Sequence, residues 1–206
     1  MTKEGLFFPL PFIILAGFFY FLFRQYFSLT LLFMAAVLFY TGLAIMLFFR
    51  DPERKAPKGD NLILSPADGR LIMLEETDCG PVISIFLSIF NVHVNRSPIK
   101  GIIKAVTFFP GKFHIASKAE AMSENQRNEI EIAADIGIIR MHQISGSIAR
   151  RVIFKKKPGE HVEAGDRVGL IRFGSRVDLF LPNGSKIDVK LGQKVIAGET
   201  IIGKLP

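Results

Sequence analysis

The sequence predicts a mainly β domain carried behind a hairpin of two membrane helices, and three observations predict it. Residues 6–23 and 29–49 are apolar runs free of charge, each close to the ~20 residues a helix needs to cross a hydrocarbon core. From residue 51 onward the chain turns polar and breaks into short apolar segments bounded by Gly, Pro and Asn, the punctuation of strands and turns rather than of helices. Near the C-terminus a glycine-containing pattern occurs twice.

Within residues 1–50, Arg24-Gln25-Tyr26 is the polar break expected to turn the hairpin. Pro9 and Pro11 shorten or kink the first run, which leaves a re-entrant hairpin open beside two full spans. A cleaved signal peptide has one short apolar region and a small-residue cleavage site, which these two runs do not match. Arg50, Arg54, Lys55 and Lys58 follow the second run, so the positive-inside rule puts the domain 51–206 on the cytoplasmic side. A net charge of +7 beside a membrane segment favours an anionic phospholipid partner and excludes nucleic acid as the first choice. Cys79 is the only cysteine, which rules out an internal disulfide framework and offers no zinc cluster.

The domain opens with a short strand at 62–64, then Ser65-Pro66-Ala67-Asp68-Gly69, a turn leading into a second strand. Asp68 is either a turn residue bonding its own backbone or a carboxylate aimed at a partner. Residues 82–89 read as a buried strand, and the alternation of Phe90-Asn91-Val92-His93-Val94-Asn95-Arg96 continues it until Pro98. His93, at the end of that strand, is the best framed of the four histidines. Paired with Asp68, its imidazole would be held in one tautomer and could take a proton from a serine. Further strands are expected at 101–109, 130–134 and 136–143. Arg127 and Asn128, between polar loop and strand, are candidates for a phosphate or carboxylate.

The repeat is Gly159-x-x-Val162-x-Ala164-Gly165-x-x-Val168, which returns as Gly192-x-x-Val195-x-Ala197-Gly198-x-x-Ile201. Glycines that turn the chain and single valines that fill a core are the pattern of barrel-sandwich hybrids such as lipoyl and biotinyl carrier domains. No lysine sits in the setting that carries either group, so the architecture is expected without the carrier function. Between the two copies lies Arg172-Phe173-Gly174-Ser175-Arg176, inside an apolar run. Gly174 leaves its carbonyl open to close approach. Attack by the Ser175 hydroxyl on that carbonyl shifts the peptide to an ester, and elimination and hydrolysis leave a pyruvoyl group at residue 175.

In this order, Ser65-Pro66-Ala67-Asp68-Gly69, Phe90-Asn91-Val92-His93-Val94-Asn95-Arg96 and Phe173-Gly174-Ser175 resemble the motifs of the phosphatidylserine decarboxylase family. The match is to its shorter, membrane-anchored form, archaetidylserine decarboxylase-like relatives included. The resemblance implies self-cleavage into a larger chain, 1–174, and a smaller chain, 175–206. It implies that Ser175 becomes the pyruvoyl cofactor and that Asp68, His93 and Ser175 form the processing triad. The implied reaction converts phosphatidylserine to phosphatidylethanolamine and CO2 at the membrane, without a metal. Arg96, Arg127, Asn128 and Arg172 are the candidates for binding substrate. Phe90 stands where longer members carry an additional histidine, so that residue's role does not transfer. The alternatives are another serine-headed lipid such as archaetidylserine, a membrane serine hydrolase, or a non-enzymatic membrane-tethered adaptor. The oligomeric state is left open, a homo-oligomer included.

Overall fold

The structure, a computed structural model, describes residues 3–118, 120–147, 151–171 and 175–206. The chain divides into two compact units, Met1–Pro52 and Glu53–Pro206.

The first unit holds α1 (Lys3–Phe7), α2 (Leu10–Tyr26) and α3 (Leu29–Phe48). Pro9 is the N-cap of α2 and Pro11 lies in its first turn, where a missing backbone donor is harmless. The prolines therefore separate α1 from α2 and leave α2 itself intact. The reversal falls later than the polar residues suggest: Arg24-Gln25-Tyr26 finish α2, and Phe27 adopts a left-handed φ of 50° before extended Ser28. Arg and Gln are good helix formers, so polarity alone does not end the helix. Leaving helical geometry does. Residues 5–26 and α3 are each long and apolar enough to cross a membrane.

The second unit begins with β1 (Leu62–Leu64), β2 (Gly69–Thr77), β3 (Gly80–Leu87), β4 (Val94–Arg96) and β5 (Gly101–Phe109). After α4 (Ala121–Glu124) come β6 (Arg127–Ala134), β7 (Gly137–Ile144), β8 (Val152–Phe154), β9 (His161–Val162) and β10 (Arg167–Ile171). The chain closes with β11 (Ser175–Phe180), β12 (Lys186–Ile187), β13 (Lys194–Val195) and β14 (Ile201–Lys204). They form one eight-stranded sheet, β13-β2-β3-β11-β7-β6-β5-β9, and two three-stranded sheets, β4-β10-β8 and β1-β14-β12. Period-two alternation builds the large sheet: Ile130 and Ile132 of β6, and Ile139 and Met141 of β7, are buried while Glu129, Glu131 and Arg140 point outward. Leu71, Ile83, Ile85, Val177 and Leu179 join the same core.

The repeat in the sequence is half of a larger one. Gly165 and Gly198, with φ of 88° and 70°, touch each other: a β-carbon on Gly198 would lie 3.3 Å from the Gly165 Cα. Only glycine adopts that φ without strain and leaves the room. Gly165 N–H donates to Ser97 O and Gly198 N–H to Ser65 O, both at 2.8 Å. Those serines open matching Ser-Pro-x-x-Gly turns, 65–69 and 97–101, which exchange backbone hydrogen bonds: Arg96 N to Pro66 O and Leu64 N to Pro98 O. In each turn the serine hydroxyl donates to the carbonyl two residues on, at 2.7 Å. The strands that follow, β2 and β5, carry a register shift at corresponding places, Leu71/Met73 and Ile103/Ala105.

Between the eight-stranded sheet and β4-β10-β8 the neighbour order is kept. β3, β11 and β7 lie side by side in one, and β4, β10 and β8, to which they connect in sequence, lie side by side in the other. Three adjacent strands thus leave one sheet for the other at the same corner. The single strand expected over 82–98 is divided there, because its partners change from β2 and β11 to β10.

Candidate active site

Ser175 is the first residue of β11, the middle strand at that corner, opposite Leu87 of β3. Val177 and Leu179 on the same face are core residues, and Ser175 is fully buried with them. Its Oγ has no hydrogen-bond partner among the described residues, an expensive state for a buried hydroxyl. Ser145, next after Ile144 of β7, has a buried Oγ that likewise has no partner among the described residues. Gly174 and Arg172, both predicted site residues, lie outside the described residues.

His93 lies at the same corner, immediately before β4. Its carbonyl accepts from Ile171 N–H at 3.2 Å, so its backbone lies against the end of β10. The side chain is fully buried. Its Nδ1 lies 2.9 Å from the carbonyl oxygen of Asn91. A carbonyl can only accept, so Nδ1 carries the proton and Nε2 carries the lone pair. Asn91 is itself fixed, its Oδ1 accepting from the Ser88 N–H and hydroxyl.

Asp68 is engaged elsewhere than the sequence suggested. Its Oδ1 accepts from Ala197 N–H at 2.8 Å, in the second repeat turn, and its Oδ2 takes Arg54 Nη2 at 3.0 Å. Arg54 also holds Glu199 at 3.1 Å, which straps the segment after the apolar helices onto the domain. No hydrogen bond of Asp68 goes to His93 among the described residues; the Asn91 carbonyl fixes that imidazole. The corresponding position of the other Ser-Pro-x-x-Gly turn is Lys100, 3.7 Å from Glu163. The turn therefore does not require an acid, and Asp68 is particular to its copy. Its loop still meets the histidine strand, through Pro66 and Arg96.

A buried chain of carboxamides joins these parts. Asn128 Nδ2 donates to Gln143 Oε1 at 3.2 Å, Gln143 Nε2 to Asn95 Oδ1 at 2.8 Å, and Asn95 Nδ2 to Pro66 O at 3.5 Å. It runs from β6 through β7 to β4 and the Asp68 loop. Gly169 leaves it room, for a β-carbon there would sit 2.6 Å from Gln143 Nε2. The sequence reading missed Gln143. The available signal was a polar residue at the inward position that follows Ile139 and Met141. Of the other candidates, Arg96 is buried and donates to Gly165 O at 2.9 Å. Arg127 lies over the Phe109 ring and pairs with Glu129 at 2.8 Å.

On the opposite face of β11, Arg176 and Asp178 are also buried. Arg176 Nε donates to Asp178 Oδ1 at 2.6 Å and Nη2 to Ser84 Oγ at 2.7 Å, while Nη1 reaches Lys118 O in the segment before α4. Burial pushes the Asp178 carboxyl up, against the pull of Arg176. His142, across from Asp178 and against the Phe180 ring, is pushed down to about 4 by burial. Among the described residues no cluster of His, Cys, Asp and Glu could hold a metal.

The family model of phosphatidylserine decarboxylase matches residues 42–203. Among curated proteins, the phosphatidylserine decarboxylase proenzyme of Desulfotalea psychrophila is 42% identical over 185 residues, covering 86% of this chain and 84% of its own length. The proenzyme of the same name from Ehrlichia canis is 47% identical over 174 residues, with 80% and 76% covered. That from Polynucleobacter asymbioticus is 43% identical over 168 residues, with 79% and 78% covered. A match that spans both halves of the repeat, the corner of three strands and the buried serine in its centre means that this chain is an enzyme of the phosphatidylserine decarboxylase family.

Proposed function

We propose that the chain is a self-processing proenzyme that decarboxylates phosphatidylserine to phosphatidylethanolamine with a pyruvoyl group made from Ser175. The observation that carries this is the Ser175 hydroxyl, buried and without a hydrogen-bond partner among the described residues at the start of the central strand, with His93 anchored to the strand that precedes it. The Nε2 lone pair of His93 takes the hydroxyl proton, Oγ bonds to the Gly174 carbonyl carbon, and the peptide C–N bond breaks as the ester forms. Loss of the residue 175 α-proton expels the Gly174 carboxylate, and water then releases ammonia, leaving the 2-oxo acyl group on the Arg176 nitrogen. Asp68 belongs to this set through its loop, which is bonded to β4, the strand that follows His93.

The site fits the group. Residue 176 onward stays paired with β3 on one side and β7 on the other, so the new chain end remains where Ser175 stood, inside the core. When present, the group supplies a carbonyl that takes up the substrate amine and accepts the electron pair left by CO2. The surrounding apolar residues keep water away from it. The products of cleavage are chain 1–174, which keeps the membrane segment 1–50, and chain 175–206, with the catalytic domain 51–206 on the cytoplasmic side of the membrane. The relatives' names support the phosphatidylserine headgroup, and an archaeal-type tail on the same headgroup is compatible with the same chemistry.

The deciding experiment is the intact mass of the denatured protein. Two fragments are expected, the smaller one lighter by one ammonia than a serine-started peptide. Ser175→Ala and His93→Ala should each leave one uncut chain. A folded wild-type protein that stays uncut refutes the reading, and normal cutting in His93→Ala removes that residue from it.

A further inference from the structure

The two ends of the eight-stranded sheet carry different side chains. At the end away from Ser175, the tight turns carry Asp78 and Asp135, and Ile136 and Ile138 are each about 40% exposed. At the Ser175 end, apolar side chains project from separate connections. Ile89 and Phe90, between β3 and β4, are exposed, Phe90 to 79%. Phe108 near the end of β5 and Ile115 in the next segment are each more than half exposed. Cations ring them. Lys112 is neutralised by Glu124 at 2.9 Å, but Lys118 is exposed nearby. Lys194 and Arg70 are exposed cross-strand neighbours in the same row of the sheet as Arg176 and Arg127.

We propose that this end of the catalytic unit is a membrane-docking surface of its own, whose partner is an anionic bilayer. Apolar residues on separate tips, with cations between and behind them, suit an interface where side chains enter individually and basic groups stay at phosphate level. The inference rests on the phospholipid reading above and adds where the lipid is met: at the corner that holds Ser175, so that a headgroup has only to leave the interface, not to cross solvent.

The chain has no tryptophan, so single reporters can be placed without background. Phe90→Trp, Ile115→Trp and, as the control at the far end, Ile136→Trp are made in the full chain. Each is reconstituted into phosphatidylcholine vesicles containing phosphatidylserine, with brominated acyl chains as quencher. Docking to the depth of an interfacial helix, about 5–10 Å, predicts quenching at 90 and 115 at least about twofold stronger than at 136. That difference should shrink at high salt and in vesicles lacking the anionic lipid. Equal quenching at all three positions, or none at 90 and 115, overturns the proposal. A difference indifferent to salt and lipid charge overturns the anionic assignment. Cutting of each variant into two fragments reports that it folded, and Ile89→Trp replaces Phe90→Trp if that variant does not. The depth measurement does not depend on decarboxylation, so an inactive but docked protein would refute the proposed reaction and leave the surface standing.

Discussion

Replacing Gln143 by Leu, in a Ser175→Ala background so that every molecule is uncut, tests the carboxamide chain. The side chains are similar in volume, so little cavity is created. What changes is polar: Asn128 Nδ2 loses its acceptor and Asn95 Oδ1 loses its donor, and both residues are buried. A buried group left unpaired costs about 1–3 kcal/mol, so the pair amounts to about 2–6 kcal/mol. In a chain of this size about 1 kcal/mol moves the melting temperature by about 2–4 °C. A fall on the order of 10 °C is therefore expected, read by circular dichroism on the detergent-solubilised protein. Gln143→Glu should be worse, because it keeps the acceptor for Asn128, removes the donor to Asn95 and buries a charge. A melting temperature within about 2 °C of the parent in Gln143→Leu would refute the idea that these amides hold the corner. With Ser175 restored, the same variant should cut itself more slowly, since Asn95 lies two residues beyond His93.

Gly169→Ala puts a methyl group 2.5 Å from Ile153 O and 2.6 Å from Gln143 Nε2, and should lower the melting temperature more than Gly192→Ala, where φ is 81° but the space is open. His142, neutral and buried with a pKa near 4, favours the folded state above its unfolded value of about 6.5, and that contribution is lost as pH falls toward 4. The full difference is about 3 kcal/mol, so His142→Phe should flatten the decline of melting temperature between pH 6.5 and 4. Arg54→Ala releases Asp68 and Glu199 together; limited proteolysis in residues 53–58 should become faster, while cutting at residue 174 continues if Asp68 acts through its loop rather than through Arg54.

Much of this was legible in the chain because periodicity is local. The two apolar runs, the strands expected at 130–134 and 136–143 and the doubled glycine pattern each lie within a short window, and each became the element it suggested, with β6 starting earlier, at Arg127. The reversal at Phe27 and the division of the strand over 82–98 were not legible. The first depends on one residue leaving helical geometry, and the second on a change of partner, which no single strand's sequence records. At the site, Ser175 and His93 stood out by residue type and setting. The Asp68–Arg54 pair did not, because a carboxylate advertises its charge but not which distant cation reaches it. The second half of the repeat was present as Ser-Pro-x-x-Gly at 65–69 and 97–101, but a short motif with only three fixed residues is visible mainly once the glycines are seen to meet.

The smaller chain that cutting would release is not peripheral: β11 is central in the largest sheet, β14 is central in β1-β14-β12, and β13 closes the edge beside β2. Before cutting, these strands find their places as part of one polymer, with the modest loop-closure cost of an intramolecular search. Afterwards the same assembly is a two-body problem whose yield depends on concentration. Under the proposed cutting, folding has to come first and cutting second, in one direction only. If the chain is cut as proposed, the denatured cut protein should fail to regain its structure under dilution that the uncut Ser175→Ala chain survives, and the cut form would then owe its persistence to slow unfolding rather than to an equilibrium it can revisit.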